Sequence, residues 1–472
     1  MSSLILLDVS YCLLQGMLPS TIANLSRLVK LDISSNNFQG KIPPFGARPS
    51  LGKSFPSAYI DLSYNKLEGS IAPILLGAFG KLSYVRLNQN RLTGGIPSPS
   101  RNLTSLAWLY LGNNQLNGRI PSLANLKSLI ELDLSKNLLS GKIPASIGQL
   151  FSLRTLYLSS NMLSQAIPRN ISNLSKLQVL SLSSNRLSGN FSESFILNLD
   201  SLVYMDISNN MLTVKMSPTW IPKNSFRTLN LRSCNMEGEL PAFLTTQFDI
   251  SRLDLSDNRL WGKIPTWIWD SPALVELNLS HNHFTGVLPS KLTNRPRLKV
   301  LDLHCNNLQG PLPLPPPSVV VLDLSENHFC ASIPPETGEY RFSYLSLSHN
   351  NLSGRVPSTI CDQRSMQILD LSYNRLAGKI PVGYVNCSNL EVLNLEENFL
   401  EGHLPAELGN MSSLQTLKIN RNRLNGVLPV FANCTELEIL DVGDNDPTGN
   451  ISSNWLLKLP NLKILILRSN RF

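Results

Sequence analysis

An asparagine that returns at a nearly constant interval is the feature that most constrains this chain. It recurs with a step of about 24 residues, and its surroundings are clearest in LIELDLSKNLLSGKIP at 129–144, which contains Asn137. The alternation in ELDLS has the period of two that a short β-strand requires. The asparagine side chain can satisfy backbone groups in the turn that follows. The chain therefore bends after every strand and starts the same path again.

These asparagines are expected to line up in one row when successive copies stack. A unit this short cannot bury its apolar face alone, so its stability must come from its neighbours. The predicted structural asparagine ladder consists of Asn90, Asn114, Asn137, Asn161, Asn185, Asn258, Asn282, Asn350, Asn374, Asn398 and Asn422.

The interval lies in the leucine-rich-repeat range and predicts the fold. We expect an α/β, right-handed leucine-rich-repeat solenoid, a horseshoe or superhelix. Its concave side would carry a parallel β-sheet, and its convex side turns, short strands and 3-10 helices. About twenty repeats are predicted to form one array over residues 1–472. The exceptions are an irregular insertion at 44–57, a truncated last repeat and uncapped ends.

Charge and hydropathy exclude some classes of protein. The net charge of +8 is spread through the repeats, which argues only weakly for an acidic partner and hardly at all for nucleic acid. The longest apolar stretch, 71–79, is about half of the roughly 18 residues that a membrane helix needs. The start, MSSLILLDVS, lacks the features of a signal peptide and already matches the repeat. We expect the chain to be a segment of a longer protein.

Exposed strand positions supply the candidate ligand-binding residues. Tyr59, Tyr84 and Trp108 occupy the same position in three consecutive repeats, which predicts one aromatic row on the concave face. Exposed aromatic side chains are common in recognition surfaces, although strands also favour them for packing. Two further tyrosines extend the row, and a polar zone follows it. The full predicted set is Tyr59, Tyr84, Trp108, Tyr110, Lys136, Tyr157, Arg232, Asp257 and His281.

The same reasoning finds no catalytic or metal site. His281, Cys305, Glu326 and His349 precede the asparagine position in four successive repeats, which spaces them about 5 Å apart in a column. Ligands of one metal ion must converge more closely, so these residues are interpreted as exposed polar side chains. We expect no cofactor, no metal and no enzymatic activity.

Two further features concern covalent chemistry. Cys361 and Cys387 lie in adjacent repeats at similar registers and could pair, whereas Cys387 and Cys434 are two repeats apart, too far for a bond. Asparagine-glycosylation sequences are frequent, but a repeat rich in asparagine and serine also produces them by chance. The candidate positions are Asn24, Asn102, Asn170, Asn173, Asn190, Asn278, Asn351, Asn386, Asn410, Asn433 and Asn450.

The second half of each repeat carries a family resemblance. The pattern LxxLxLSxNxLSGxIPxxLxxLxx, as in LRTLYLSSNMLSQAIPRNISNLSK, resembles the plant-specific class of leucine-rich repeats. That class includes the ectodomains of plant receptor-like kinases and receptor-like proteins, and secreted polygalacturonase inhibitors. The passage LEILDVGDNDPTGNISSNWLLKLPNLKILILRSNRF is similar to the late repeats of receptor-like proteins. The resemblance covers essentially the whole chain.

The resemblance implies a function. It implies a glycosylated ectodomain on the extracellular face of the plasma membrane that binds a peptide, glycan or protein ligand on its concave face in immune or developmental signalling. A co-receptor kinase is the implied signalling partner. The alternatives are the ectodomain of a receptor-like kinase and a secreted inhibitor of a pathogen wall-degrading enzyme.

Overall fold

The structure is a computed structural model of the chain. It describes residues 4–25, 27–44, 58–76, 82–99, 103–292, 297–362, 364–449 and 457–472. Most of the predicted insertion at 44–57 lies outside these residues. The chain divides into two compact units, the first with Met1–Met236 and Pro241–Gln247, the second with Glu237–Leu240 and Phe248–Phe472. One array over residues 1–472 stays a prediction.

Each repeat contributes a short strand before the asparagine position, which we call the leading strand. Within each unit the leading strands pair in parallel, one repeat after the next, and form the leading sheet. In the first unit they are Leu6–Asp8, Lys30–Asp32, Ala58–Asp61, Leu82–Arg86, Trp108–Tyr110, Glu131–Asp133, Thr155–Tyr157, Val179–Ser181, Tyr204–Asp206 and Thr228–Asn230. In the second unit they are Arg252–Asp254, Glu276–Asn278, Val300–Asp302, Val321–Asp323, Tyr344–Ser346, Ile368–Asp370, Val392–Asn394, Thr416–Lys418, Ile439–Asp441 and Ile464–Ile466.

A second strand, the trailing strand, follows the asparagine position. Trailing strands also pair in parallel within each unit and form the trailing sheet. In the first unit they are Gln15–Met17, Asn37–Lys41, Lys66–Gly69, Arg91–Gly95, Gln115–Arg119, Leu138–Gly141, Met162–Gln165, Arg186–Phe191 and Met211–Val214. In the second unit they are Glu237–Gly238, Arg259–Lys263, His283–Val287, Asn307–Pro311, His328–Ala331, Asn351–Arg355, Arg375–Gly378, Phe399–His403, Arg423–Val427 and Asp446–Thr448.

Short helices complete many repeats, and most are 3-10 helices that begin directly after a proline. Proline fixes φ near the extended value that the chain needs before it turns, as Pro144 does at φ −69°. The 3-10 helices are Ser20–Asn24, Ala145–Gln149, Arg169–Asn173, Glu193–Phe195, Ala242–Thr246, Thr266–Asp270, Pro335–Glu339, Ser358–Cys361, Val382–Asn386 and Ala406–Asn410; Ala72–Leu75 is α-helical. Among the described residues, no helix has the length and apolar content to cross a membrane.

The core of each repeat is a set of buried leucines that alternate with outward side chains. Leu132, in Glu131–Asp133, is paired with Leu109 before it and Leu156 after it, and all three are almost fully buried. This alternation is the period of two that the sequence shows, so one side of the leading strand packs inside and the other faces solvent.

The asparagine side chain connects adjacent repeats. Asn137 Oδ1 accepts the backbone N–H of Leu116, one repeat earlier, at 3.0 Å. Its Nδ2 donates to the carbonyl of Leu111 in that earlier repeat at 3.0 Å, and to the carbonyls of Leu134 and Ser135 in its own turn at 3.2 and 3.0 Å. One buried amide therefore satisfies backbone groups that two turns would otherwise leave unpaired.

The same pattern recurs along both units. Asn90, Asn161 and Asn185 make it in the first unit, and Asn282 and Asn398 in the second. Asn114, Asn350, Asn374 and Asn422 do so as well, and Asn258 Nδ2 donates to the carbonyls of Leu255 and Ser256.

A cysteine occupies the asparagine position at Cys234. It is fully buried, and its Sγ lies 3.6 Å from the carbonyl oxygen of Ile207 and 3.5 Å from that of Arg232. A thiol is a weak donor, so it reproduces part of what the amide does.

One pair of cysteines forms a disulfide. Cys361 and Cys387 are bonded, with their Cα atoms 5.0 Å apart, which is the pairing that the sequence left open. The other cysteines, Cys12, Cys234, Cys305, Cys330 and Cys434, form no disulfide. Adjacent repeats thus carry a covalent link in addition to strand pairing.

Candidate ligand-binding face

The solvent side of the leading sheet in the first unit presents two columns of side chains. Strand register aligns the first column as Lys30, Tyr59, Tyr84, Trp108, Glu131 and Thr155. The second column, two positions further along each strand, is Asp32, Asp61, Arg86, Tyr110, Asp133 and Tyr157. The three aromatic residues predicted to lie in one row are therefore in register. Tyr110 and Tyr157 lie in the second column, with Asp133 between them.

Four aromatic rings make one continuous surface, which we call the aromatic cluster: Tyr59, Tyr84, Trp108 and Tyr110. The rings of Tyr59 and Tyr84 stack with centroids 4.2 Å apart and planes 8° apart. Tyr84 also contacts Trp108 at 6.2 Å and Tyr110 at 5.8 Å, with tilted planes. All four residues are half-buried. Their mutual contacts fix the rings while part of each faces solvent, which reduces the entropy lost when a ligand binds.

Two cations contact the rings of the cluster, Lys30 from the repeat before it and Arg86 from the strand that carries Tyr84. Lys30 Nζ lies 5.3 Å from the centroid of the Tyr59 ring and is 2.8 Å from a carboxylate oxygen of Asp8. The Arg86 guanidinium lies 5.9 Å from the centroid of Tyr110 and 3.9 Å from the carboxylate of Asp61. Both cations are held by carboxylates and by the faces of rings, so their positions are defined before any ligand arrives.

Carboxylates complete the border of the cluster. The Tyr59 hydroxyl donates to Asp61 Oδ2 at 3.3 Å, and the Tyr110 hydroxyl donates to Glu131. Burial raises the pKa of Asp61, although hydrogen bonds from Ser63 act in the opposite direction. The cluster therefore has an apolar centre and a rim with charges of both signs, which is the usual arrangement of a protein recognition surface.

The tyrosines of this face stay protonated across the physiological range. Burial is the main cause that raises the pKa of Tyr59, Tyr84, Tyr110 and Tyr157, and the nearby carboxylate of Asp61 adds to the shift at Tyr59. Phenol hydroxyls in this state donate hydrogen bonds and leave the ring faces neutral. The surface can therefore offer stacking and donor groups together.

The other predicted binding residues lie apart from this cluster. Lys136 and Arg232 are exposed and belong to the first unit, whereas Asp257 and His281 belong to the second unit. Lys136, Asp257 and His281 each precede an asparagine position and share a left-handed backbone, with φ of 52°, 53° and 50°. The structure thus brings four aromatic members of the predicted set, Tyr59, Tyr84, Trp108 and Tyr110, into mutual contact, and Tyr157 lies beyond Asp133 in the second column.

Sequence reasoning missed the charged neighbours of the aromatic row. Lys30, Asp61 and Arg86 occupy the two outward columns beside Tyr59 and Tyr84. The signal was present, since each lies at a strand position equivalent to a named tyrosine. Single exposed charges are common on any protein surface, so these charges do not by themselves indicate a site.

Most of the candidate glycosylation sites are accessible. Asn170, Asn173, Asn190, Asn351, Asn386, Asn410 and Asn433 are exposed. Asn278 is half-buried in a leading strand, where its Oδ1 accepts the N–H and the hydroxyl of Ser280. Asn102 and Asn450 lie outside the described residues, as does the side chain of Asn24. Their glycosylation stays a prediction.

The repeats match a known family model. The model of the Leucine Rich Repeat matches residues 27–47, 128–150, 152–174, 176–197, 249–271, 273–294, 341–363, 365–387 and 389–411. Together with the parallel sheets and the asparagine contacts, these matches define an α/β leucine-rich-repeat solenoid.

Similar proteins indicate the class within that fold. Receptor-like protein 39 of Arabidopsis thaliana is 35% identical over 106 residues, 22% of this chain and 12% of that protein. Receptor-like protein 15 of the same plant is 51% identical over 140 residues, 29% of this chain and 14% of that protein. The matched part is therefore a small share of each relative. These matches support a plant leucine-rich-repeat receptor-like protein ectodomain.

Solved structures agree on the fold. The ectodomain of the Arabidopsis thaliana receptor kinase GASSHO1/SCHENGEN3, in complex with CASPARIAN STRIP INTEGRITY FACTOR 2, superposes with a TM-score of 0.81. It is 30% identical, and the match covers 99% of this chain and 56% of that one. The plant peptide hormone receptor RGFR1, in complex with RGF2, gives a TM-score of 0.78 at 29% identity, over 98% of this chain and 74% of that one.

Proposed function

We propose that this chain is a non-enzymatic ligand-recognition region of a plant cell-surface receptor-like protein, and that it binds its ligand on the leading sheet of the first unit. The observation that carries the proposal is the aromatic cluster, whose four rings contact one another on the solvent side of the sheet and have a charged rim. Partly exposed aromatic clusters with a charged rim are typical of recognition surfaces.

Among the ligands considered, a peptide fits this face best. An extended peptide can lay an apolar side chain on the rings of Tyr84 and Trp108 while its polar groups meet Glu131 and Asp133 next to them. Structural neighbours support a peptide, because RGFR1 is a peptide hormone receptor solved with RGF2, and HAESA was solved with the peptide hormone IDA. A glycan remains the second candidate, since sugar rings also stack on aromatic faces.

The signalling context is proposed from one solved structure, that of HAESA. The receptor kinase HAESA has been solved with a peptide hormone and the co-receptor SERK1, and it matches this chain at 25% identity with a TM-score of 0.66. We infer that the full protein acts at the extracellular face of the plasma membrane, in immune or developmental signalling, with a co-receptor kinase. The disulfide between Cys361 and Cys387 supports an oxidising compartment. The ectodomain of a receptor-like kinase and a secreted inhibitor are the alternatives.

Trp108→Ala and Tyr84→Ala test the proposal. The purified chain is screened by biolayer interferometry against synthetic plant secreted peptides and cell-wall oligosaccharides. Each substitution removes a half-buried ring from the centre of the cluster, so we expect it to weaken the selected binder by about tenfold or more, as central aromatic residues of interfaces do.

Tyr373→Ala is the matched control, because Tyr373 is an exposed tyrosine of the second unit that stacks on His349 at 4.1 Å. It should leave affinity unchanged. Equal affinity for the wild type and both cluster variants, with unchanged circular dichroism, would remove the aromatic cluster as the binding surface. If the screen selects an oligosaccharide and no peptide, the ligand is a glycan and the peptide proposal is wrong.

A further inference from the structure

The second unit holds a cluster of histidine and aspartate side chains at the solvent side of its leading sheet. His304 Nδ1 lies 2.6 Å from Asp302 Oδ1, and His304 Nε2 lies 2.8 Å from His281 Nε2 in the preceding repeat. Asp302 is paired with Asp323 across adjacent strands. One ligand atom from each of Asp302, His304 and Asp323 falls within 4.8 Å of the others.

The contact between Asp302 and His304 sets the tautomer of the histidine. A carboxylate accepts hydrogen bonds, so the proton of His304 must be on Nδ1, which leaves the lone pair of Nε2 free. Histidines that bind metals are oriented by carboxylates in this way. Without a metal, His281 can donate the proton of its Nε2 to that lone pair. A change of tautomer moves this proton to Nδ1 of His281 and leaves two unprotonated Nε2 atoms beside each other.

Asp323 is also oriented by its neighbours. Its Oδ1 accepts the backbone N–H and the hydroxyl of Ser325 at 3.0 and 2.5 Å, and its Oδ2 accepts the hydroxyl of Tyr344 at 2.9 Å. A carboxylate oxygen has more than one lone pair, and Oδ2 accepts a single bond here, so Oδ2 keeps capacity for an ion. The side chains of His304 and Asp302 are 25% and 21% exposed, which keeps the cluster accessible yet partly shielded from water.

We propose that His281, His304 and Asp323 bind one divalent transition-metal ion, such as Zn²⁺, and that Asp302 is a positioning residue that holds His304. Two imidazole nitrogens and one carboxylate are a common ligand set for zinc, with metal to ligand distances of about 2.0–2.2 Å. Donors on one tetrahedral ion lie roughly 3.4 Å apart. The two Nε2 atoms are 2.8 Å apart, so the imidazoles would separate slightly to admit the ion. A fourth position remains open to water or to a donor from another molecule.

The sequence did not predict this site. Strand spacing identified instead a column of four residues that precede the asparagine position, His281, Cys305, Glu326 and His349. Only His281 of that column belongs to the cluster. His304 lies one residue before Cys305, in the position that serine fills in most repeats, and its ring reaches back towards the preceding repeat. Strand spacing alone does not give the direction of a side chain.

Metal titration of the purified, chelator-treated chain tests the proposal. Isothermal calorimetry with Zn²⁺ should give one ion per chain with a Kd in the micromolar range or below, and Co²⁺ should produce the visible absorption of a tetrahedral site. His281→Ala and His304→Ala should each weaken binding by about 100-fold or more. Asp302→Asn should weaken it by about 10–100-fold, the effect of losing a partner of a ligating histidine.

Control variants distinguish this site from non-specific metal binding. His328→Ala removes an exposed histidine of a trailing strand and should leave the titration unchanged, and so should Cys305→Ser. His304→Gln preserves side-chain bulk if His304→Ala affects folding. Several weak ions per chain, or an affinity that His281→Ala and His304→Gln do not change, would overturn the proposal. Loss of binding in Cys305→Ser would also overturn the ligand set.

Discussion

Asn137→Ala is expected to lower the free energy of unfolding by about 3–5 kcal/mol, a large loss for the substitution of a single polar side chain. Asn137 is 6% exposed. The substitution leaves the backbone N–H of Leu116 without its acceptor, Asn137 Oδ1. It also removes the three hydrogen bonds that Asn137 Nδ2 donates to carbonyl groups in two adjacent repeats. A buried N–H without a partner costs roughly 1–3 kcal/mol by itself. The remaining loss comes from the donated bonds and from packing.

Urea unfolding followed by circular dichroism measures this effect, with two comparisons. Asn117→Ala removes an exposed asparagine of the trailing strand Gln115–Arg119, and its cost should stay within about 0.5 kcal/mol. Asn137→Cys should fall between the two, because the chain itself uses Cys234 at the equivalent position. Hydrogen exchange at the Leu116 amide should accelerate in Asn137→Ala. Equal stability of Asn137→Ala and Asn117→Ala would contradict the role of the ladder.

The second large effect concerns the disulfide. Replacement of Cys361 and Cys387 together by alanine should cost about 3.5 kcal/mol, the chain-entropy value for closing a loop of 26 residues. Cys434→Ala is the matched control, since Cys434 is equally buried but has a free thiol. Burial raises the pKa of that thiol to about 11, so it should stay protonated and unreactive while the protein is folded.

The pairing can be checked without unfolding measurements. Alkylation of the denatured, unreduced protein should modify five cysteines, and prior reduction should raise the number to seven. Seven modified cysteines before reduction would show that the bond is absent. A stability loss in the double variant no larger than that of Cys434→Ala would mean that the bond contributes little.

Periodicity predicted the repeating part of the structure well. The alternation around Leu132 and Leu134 follows from strand geometry, and the row of asparagines follows from a constant interval. The shared position of Tyr59, Tyr84 and Trp108 follows from the same count. Such features depend on residues that are equivalent between repeats, so an alignment of the chain with itself is enough to find them.

Features that depend on side-chain direction were harder to predict. Tyr110 and Tyr157 face the same side as Trp108, but an offset of two residues puts them in another column. His304 meets His281 across repeats at positions that are not equivalent. Pairing of Cys361 with Cys387 required Cα atoms 5.0 Å apart, a distance that register alone left open. These contacts depend on rotamers and local backbone geometry, which a repeat interval does not encode.

Covalent footprinting of the chain with and without its selected peptide tests the central claim most directly. Mass spectrometry would report labelling of each aromatic side chain in both units. We expect the peptide to protect Tyr59, Tyr84, Trp108 and Tyr110 and to leave the labelling of Tyr373 unchanged. Undiminished labelling of the four cluster residues at saturating peptide would contradict the assignment of this face as the binding surface.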